Sequence, residues 1–100
     1  MTDKGTDHFI HNPLRRKYMD RLLAVQDGRC FWCERNFKQH DLYPQIDHRR
    51  PRRRGGSNRY ENLRALCKTC NSQKQSRTEA EHIMWMSRNT EKFYRVVFGD

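Results

Sequence analysis

Two pairs of cysteines constrain the fold of this chain more than any other feature. Cys30 and Cys33 form one C-x-x-C pair, and Cys67 and Cys70 form the second. The chain has 100 residues, of which 34% are hydrophobic, so its core must be small and needs further stabilisation. Two such turns fit a tetrahedral Zn²⁺ with four sulfur ligands. We therefore predict a structural zinc site; free core thiols and a redox pair are the alternatives.

The rest of the composition favours a protein of the reducing cytoplasm. No apolar run is long enough to span a bilayer, and the first residues, Met1 to Gly5, lack the apolar segment of a secretory signal. In a reducing compartment, cysteines are metal ligands more often than they form disulfides. We therefore expect a cytoplasmic protein with no membrane partner, and a nucleoid-associated or a phage-encoded protein would fit this expectation.

Basic residues are concentrated in one stretch of the chain. Lys and Arg number 21 against 12 Asp and Glu, which gives a net charge of +9. The guanidinium group suits phosphate oxygens, so we predict that this stretch binds nucleic acid. A solvated basic loop is the alternative, and a membrane surface is disfavoured because the stretch has no apolar face. The arginines are Arg49, Arg50, Arg52, Arg53, Arg54 and Arg59.

An N-terminal helix is predicted after a flexible polar leader over residues 1–11. Asn12 suits the N-cap, and Pro13 suits the first helical position. Asp27 and Gly28 should end the helix, with Gly28 as a left-handed cap. Apolar residues recur at helical spacing and should form one face of the helix, namely Leu14, Tyr18, Leu22 and Val25.

The middle of the chain predicts a strand, a loop, a second strand and a helix, which together make a small ββα unit. The first strand should occupy residues 45–49. If it is regular, Ile46 and His48 lie on one face and Asp47 on the other. The second strand and the helix should occupy residues 63–66 and 68–75.

The last part of the chain predicts one more helix. Both Ser76-x-x-Glu79 and Thr78-x-x-Glu81 fit a capping box at its start. The end of the chain, residues 93–98, is predicted as a strand or as a packed tail.

Taken together, several motifs in this order resemble the HNH endonucleases, or ββα-metal nucleases, in their zinc-bearing branch. The resemblance covers about residues 20–75. It implies a small α+β fold, with a ββα-metal core stabilised by a four-cysteine zinc site and flanked by N- and C-terminal helices. The nuclease domain would span residues 12–78, with residues 79–100 packed on it. The motifs are Gly28-Arg29-Cys30-x-x-Cys33, Asp47-His48-Arg49-Arg50-Pro51, Gly55-Gly56, Asn62-Leu63 and Leu66-Cys67-x-x-Cys70-Asn71-x-x-Lys74.

This resemblance implies nuclease chemistry, and the residue types suit it. His48 would be the general base, since the pKa of imidazole lies near neutral pH. Asp47 and Asn71 would offer oxygen ligands to one catalytic Mg²⁺ or Mn²⁺. Asn62 would hold the loop and help to orient the base, and Lys74 would join the arginines in binding nucleic acid. The implied products carry a 5′-phosphate and a 3′-hydroxyl.

One position departs from the family pattern. The third residue of the family name is often histidine, and here it is Asn71. A carboxamide is a poorer ligand than imidazole for soft transition metals, so we expect Mg²⁺ or Mn²⁺ to support activity better than Ni²⁺ or Zn²⁺.

The leading hypothesis is therefore a metal-dependent endonuclease that nicks or cuts double-stranded DNA. The alternatives are a non-catalytic zinc module that binds nucleic acid, a nuclease directed to branched DNA, and a zinc-stabilised domain that binds acidic protein. A homodimer is a further hypothesis, because cutting both strands requires two active sites.

Overall fold

The computed structural model describes residues 12–99 of the chain. The predicted flexible leader over residues 1–11 lies outside the described residues, as does the side chain of the predicted N-cap Asn12. Within the described part, no helix is long and apolar enough to cross a bilayer.

The first helix, α1, spans Asn12–Val25. Its predicted apolar face is only partly right, because Leu22 is buried whereas Leu14 is 41% exposed and Val25 is 72% exposed. The helix ends as predicted, with Gly28 at a φ of 67°. The face of α1 that packs on the core is formed by Leu22 together with the partly buried Tyr18, Met19 and Leu23. Of the predicted face, it therefore keeps Tyr18 and Leu22.

The predicted ββα unit is present. Strand β1 spans Gln45–His48 and pairs antiparallel with β2, which spans Leu63–Leu66. Helix α2 spans Lys68–Lys74 and packs against β1, while α1 packs against β2. Three residues of β1 are buried, so this short strand is covered on both faces. The fold is therefore a small α+β structure built around a two-stranded sheet.

Two further helices follow the ββα unit. Helix α3 spans Glu79–Arg88, and Thr78 caps it through a capping box with Glu81, as one of the two predicted motifs required. Helix α4 spans Thr90–Phe98.

The prediction of a strand over residues 93–98 was wrong, because the segment belongs to α4, whereas the alternative of a packed tail agrees with the burial of Phe93 and Val97. The aromatic and β-branched residues of this segment favour a strand by intrinsic propensity. Phe93 and Val97 lie one helical turn apart, and both are only 4% exposed. Packing of this helical pair on the core therefore overrides the local preference.

Candidate metal centre and active site

Cys30, Cys33, Cys67 and Cys70 form one buried cluster. Their sulfur atoms all lie within 4.8 Å of one another, and all four cysteines are free of disulfides. A tetrahedral zinc with Zn–S distances of about 2.3 Å requires sulfur atoms about 3.8 Å apart. The Sγ atoms of Cys33 and Cys67 are 3.9 Å apart. The four residues therefore fit a tetrahedral metal ion.

Local structure explains how the two pairs meet. Cys30 and Cys33 lie in the turn that follows α1, and the backbone N–H of Phe31 in that turn donates to the carbonyl of Ala65 on β2 at 3.1 Å. Cys67 is the N-cap of α2, and its sulfur accepts from the backbone N–H of Cys70. The sheet thus sets the distance between the two cysteine turns.

The electrostatics of the cluster favour the thiolate form at two of the four cysteines, Cys33 and Cys67. Arg35 donates to Sγ of Cys33 at 3.3 Å and to Sγ of Cys67 at 3.6 Å. Hydrogen bonding from the Cys30 thiol, aided by other neighbours, lowers the pKa of Cys33 and lowers that of Cys67 to about 6. The same thiol network raises the pKa of Cys30 and of Cys70. A bound cation would allow all four sulfurs to ionise.

Asp47 and Asn71 lie at the contact between β1 and α2. The alternation of β1 places Gln45 and Asp47 on the same face. The side chain of Asn71 donates to Oε1 of Gln45 at 2.8 Å, and Nζ of Lys74 lies 3.0 Å from Oδ2 of Asp47. Helix α2 therefore faces the side of β1 that carries Asp47.

The position of Lys74 is incompatible with its predicted role in binding nucleic acid. Its side chain is 1% exposed, and it pairs with Asp47, whose side chain is 3% exposed. Its Nζ also donates to the carbonyl oxygen of His48 at 3.0 Å. The cause is helical spacing, because Lys74 lies one turn after Asn71 and both face β1.

Burial controls the ionisation of Asp47. Loss of solvent raises the pKa of this carboxyl to about 6, and the nearby Lys74 ammonium partly opposes that rise. The Oδ2 atom of Asp47 lies close to the Lys74 ammonium but makes no hydrogen bond within the described residues, and a carboxylate oxygen of this kind suits a hard metal ion.

His48 lies at the end of β1, on the face opposite Asp47 by strand alternation. Its side chain is fully buried, and its Nε2 lies 2.7 Å from Oδ1 of Asn58. Asn58 belongs to the loop between the strands, so this loop covers the imidazole.

Asn62 makes three hydrogen bonds within that loop. Its Nδ2 donates to the carbonyl oxygens of Arg50 and Ser57 at 3.1 and 2.7 Å, and its Oδ1 accepts from the N–H of Arg50 at 3.0 Å. Gly56 is required in the same loop, since a Cβ atom there would lie 1.7 Å from the carbonyl oxygen of Arg50.

A comparison with protein-family models agrees with this arrangement. A model described as HNH endonuclease matches residues 30–87, which is more than half of the chain. The chain belongs to the HNH endonuclease family. Family membership implies a nuclease-type function and a nucleic-acid substrate. A search of the curated proteins finds no match, and neither does a search of the solved structures.

Within this HNH fold, the arginines predicted to bind nucleic acid have different surroundings. Arg49 pairs with Glu79 at 2.6 Å, and Arg54 makes a two-pronged contact with Glu81. Both arginine side chains remain more than a third exposed. The other arginines of the loop are also exposed, namely Arg50, Arg52, Arg53 and Arg59.

Sequence reasoning missed three residues of this HNH site. Gln45 contacts Asn71, Asn58 contacts His48, and Glu79 contacts Arg49. Strand alternation could have identified Gln45, which lies two residues before Asp47 on the same face. Nothing in the loop sequence distinguishes Asn58 from the other polar residues around it.

Proposed function

We propose that this protein is a metal-dependent endonuclease that hydrolyses phosphodiester bonds in double-stranded DNA. The observation that carries the proposal is that Asp47 of β1 and Asn71 of α2 lie at the same contact between strand and helix. The chain belongs to the HNH family, and His48 follows Asp47 directly in β1. The exposed arginines of the loop supply the positive surface that a DNA backbone requires.

In this proposal each side chain has one task. His48 removes a proton from the attacking water, for which neutral imidazole is suited. Asp47 and Asn71 would hold one Mg²⁺ or Mn²⁺ through oxygen atoms. When bound, that ion would stabilise the charge that develops on the phosphate and on the leaving 3′ oxygen.

The buried state of these groups adds a requirement. The side chain of Asp47 is paired with Lys74, and the imidazole of His48 is covered by Asn58. We infer that Lys74 would move away from Asp47 for a cation to bind there, and that the loop carrying Asn58 moves when DNA binds.

The four cysteines would hold a structural Zn²⁺ and take no part in the reaction. A site with four sulfur ligands has no open coordination position for water or substrate. The fit of the sulfur distances to zinc supports this assignment. Its role would be to join the turn after α1 to the start of α2.

A plasmid assay tests the proposal. Supercoiled plasmid, linear duplex, single-stranded DNA and branched DNA are each incubated with Mg²⁺, Mn²⁺, Ni²⁺ or EDTA. We expect Mg²⁺ and Mn²⁺ to support cleavage of supercoiled and linear duplex, and EDTA to abolish it. Cleavage of the branched substrate alone would favour a junction-directed nuclease, and higher activity with Ni²⁺ would contradict the assigned oxygen ligands.

A non-catalytic zinc module that binds nucleic acid is the second candidate. The buried pair of Lys74 and Asp47 favours it, because the lysine occupies the carboxylate that a catalytic cation needs. The two candidates make opposite predictions in the plasmid assay. DNA binding without cleavage in any of the metals would establish the second candidate.

A further inference from the structure

Glu79 lies outside the ββα unit, yet it contacts both strands of the sheet. It is the first residue of α3. Its Oε1 accepts from Nε of Arg49, directly after β1, at 2.6 Å, and its Oε2 accepts from Nε of Arg64 on β2 at 3.1 Å. Arg64 is the register partner of Asp47 in the sheet. One carboxylate therefore connects α3 to both strands beside the proposed site.

The contact extends to the backbone next to His48. The N–H of Glu79 donates to the carbonyl oxygen of Arg49 at 2.7 Å. The N–H of Arg49 donates to the carbonyl oxygen of Asn62 at 2.7 Å, and Lys74 donates to the carbonyl oxygen of His48. The backbone that carries the imidazole is thus held from β2, from α2 and, through Glu79, from α3.

The side chain of Arg49 is fixed by the same group. Its Nη1 donates to the carbonyl oxygen of Glu61 at 3.2 Å while its Nε contacts Glu79. The Glu79 side chain is 14% exposed, so solvent weakens this pair less than a fully exposed one.

We propose that Glu79 is a positioning residue for the reaction. It holds the end of β1 so that His48 keeps its orientation, and it holds the Arg49 guanidinium beside the site. This inference rests on the proposed function, in which His48 is the general base. It extends the functional unit beyond the predicted ββα core to the first turn of α3.

The geometry opposes a simpler role in which Glu79 only neutralises Arg49 and so weakens DNA binding. A carboxylate that served only to neutralise Arg49 would not need its second contact, with Nε of Arg64 on β2. The two roles differ in what a neutral replacement does. Loss of positioning lowers kcat, whereas loss of neutralisation strengthens DNA binding and steepens its salt dependence.

The test compares wild type, Glu79→Gln and Glu91→Gln, all loaded with zinc. Glu91 is the matched control, because it lies on α4 with its side chain 91% exposed and paired only weakly with Arg95. For Glu79→Gln we expect kcat to fall about tenfold to hundredfold at unchanged KM, in line with the effect of a small misplacement of a catalytic group. We also expect the NMR signals of the His48 ring to shift, and Glu91→Gln to match wild type in both measurements.

An unchanged kcat and unchanged His48 signals in Glu79→Gln would overturn the proposal, and so would tighter DNA binding with a steeper salt slope. If Glu79→Gln does not fold, Glu79→Asp replaces it. There a lower kcat at unchanged KM supports the proposal, and wild-type kcat contradicts it. If wild type itself does not cleave DNA, the proposed function fails; the His48 signals then decide whether Glu79 positions the strand.

Discussion

At the scale of single residues, the site depends on polar side chains that are buried with a specific partner. Lys74 and Asp47 form one such pair, and His48 and Asn58 form another. A buried ion pair adds little net stability, but removing one partner leaves an uncompensated charge in the interior. The effect of replacing one member of such a pair therefore depends on the partner that is left in the interior without its contact.

Replacement of Lys74 by methionine should destabilise the protein by about 3–5 kcal/mol, since Asp47 would lose its buried cation. Urea unfolding of the zinc-loaded protein measures this change. Lys68→Met is the matched control, because Lys68 begins the same helix and is exposed. Equal unfolding midpoints for the two variants would show that the Lys74–Asp47 pair is not needed.

His82 should give the protein a dependence of stability on pH. It lies between Trp32 and Trp85, at ring distances of 4.9 and 5.6 Å, and burial, aided by the charge of Arg77, lowers its pKa to about 4. The unfolded chain takes up this proton near pH 6.5 and the folded protein only near pH 4. The stabilisation is therefore complete above about pH 6.5 and is lost as the pH falls towards 4.

Between pH 7.5 and pH 5, His82 should account for a loss of about 2 kcal/mol of stability. His82→Phe removes the titrating group but keeps an aromatic ring in this position. Urea unfolding of both proteins at the two pH values should show a smaller loss for the variant. Parallel losses in the two proteins would contradict the low pKa of His82.

At the scale of structural elements, the loop between β1 and β2 connects the exposed arginines to His48. Its shape depends on Asn62, which fills the loop with three hydrogen bonds, and on Gly56, where a side chain has no room. The loop also carries Asn58, which contacts His48. A change in the loop therefore affects both the arginines that we propose to bind DNA and the imidazole of His48.

Asn62→Ala should free this loop and cost about 1–3 kcal/mol of stability, because it leaves polar backbone groups without partners. Amide hydrogen exchange at Arg50 reports the loss directly, since that N–H donates to Asn62. Asn62→Asp keeps this acceptor but loses the two bonds that the carboxamide donates. Of the two variants, only Asn62→Asp should therefore keep the N–H of Arg50 protected from exchange. The same exchange rate in all three proteins would exclude the proposed role of Asn62 in the loop.

Sequence patterns predicted some elements well and others poorly, for physical reasons. β2 and the Thr78 capping box are set by local chemistry and were predicted correctly. Helix α4 was missed because its residues favour a strand locally and become helical through packing of Phe93 and Val97. Burial of Lys74 was missed because a lysine is nearly always exposed, although its spacing from Asn71 indicated the inward face.

At the scale of the whole molecule, the cysteine cluster joins parts of the chain that are far apart in sequence. It brings the turn after α1 to the start of α2, across the two-stranded sheet. The hydrophobic core is small. Several large apolar side chains on α3 and α4 stay exposed and add little to it, namely Ile83, Met84, Tyr94, Val96 and Phe98. The metal site is therefore expected to supply a large part of the folding free energy.

Removal of the metal should unfold the protein. A structural zinc contributes on the order of 10 kcal/mol to folding, which is comparable to the whole free energy of unfolding of a domain of this size. A strong chelator, or Cys67→Ala, should abolish the cooperative thermal transition seen by circular dichroism. Ser72→Ala on the same helix is the control and should unfold like wild type. A cooperative transition at an unchanged temperature after chelation would refute a structural role for the metal.

We propose that His48 acts as the general base and that Asp47 and Asn71 would hold the catalytic cation. The most direct measurement is single-turnover cleavage of an end-labelled DNA duplex in Mg²⁺, with wild type and His48→Ala at equal zinc content and equal DNA occupancy. We expect wild type to release 5′-phosphate and 3′-hydroxyl ends, and His48→Ala to bind the duplex but leave it intact. Equal cleavage rates for the two proteins, or an inert wild type that binds DNA normally, would contradict it.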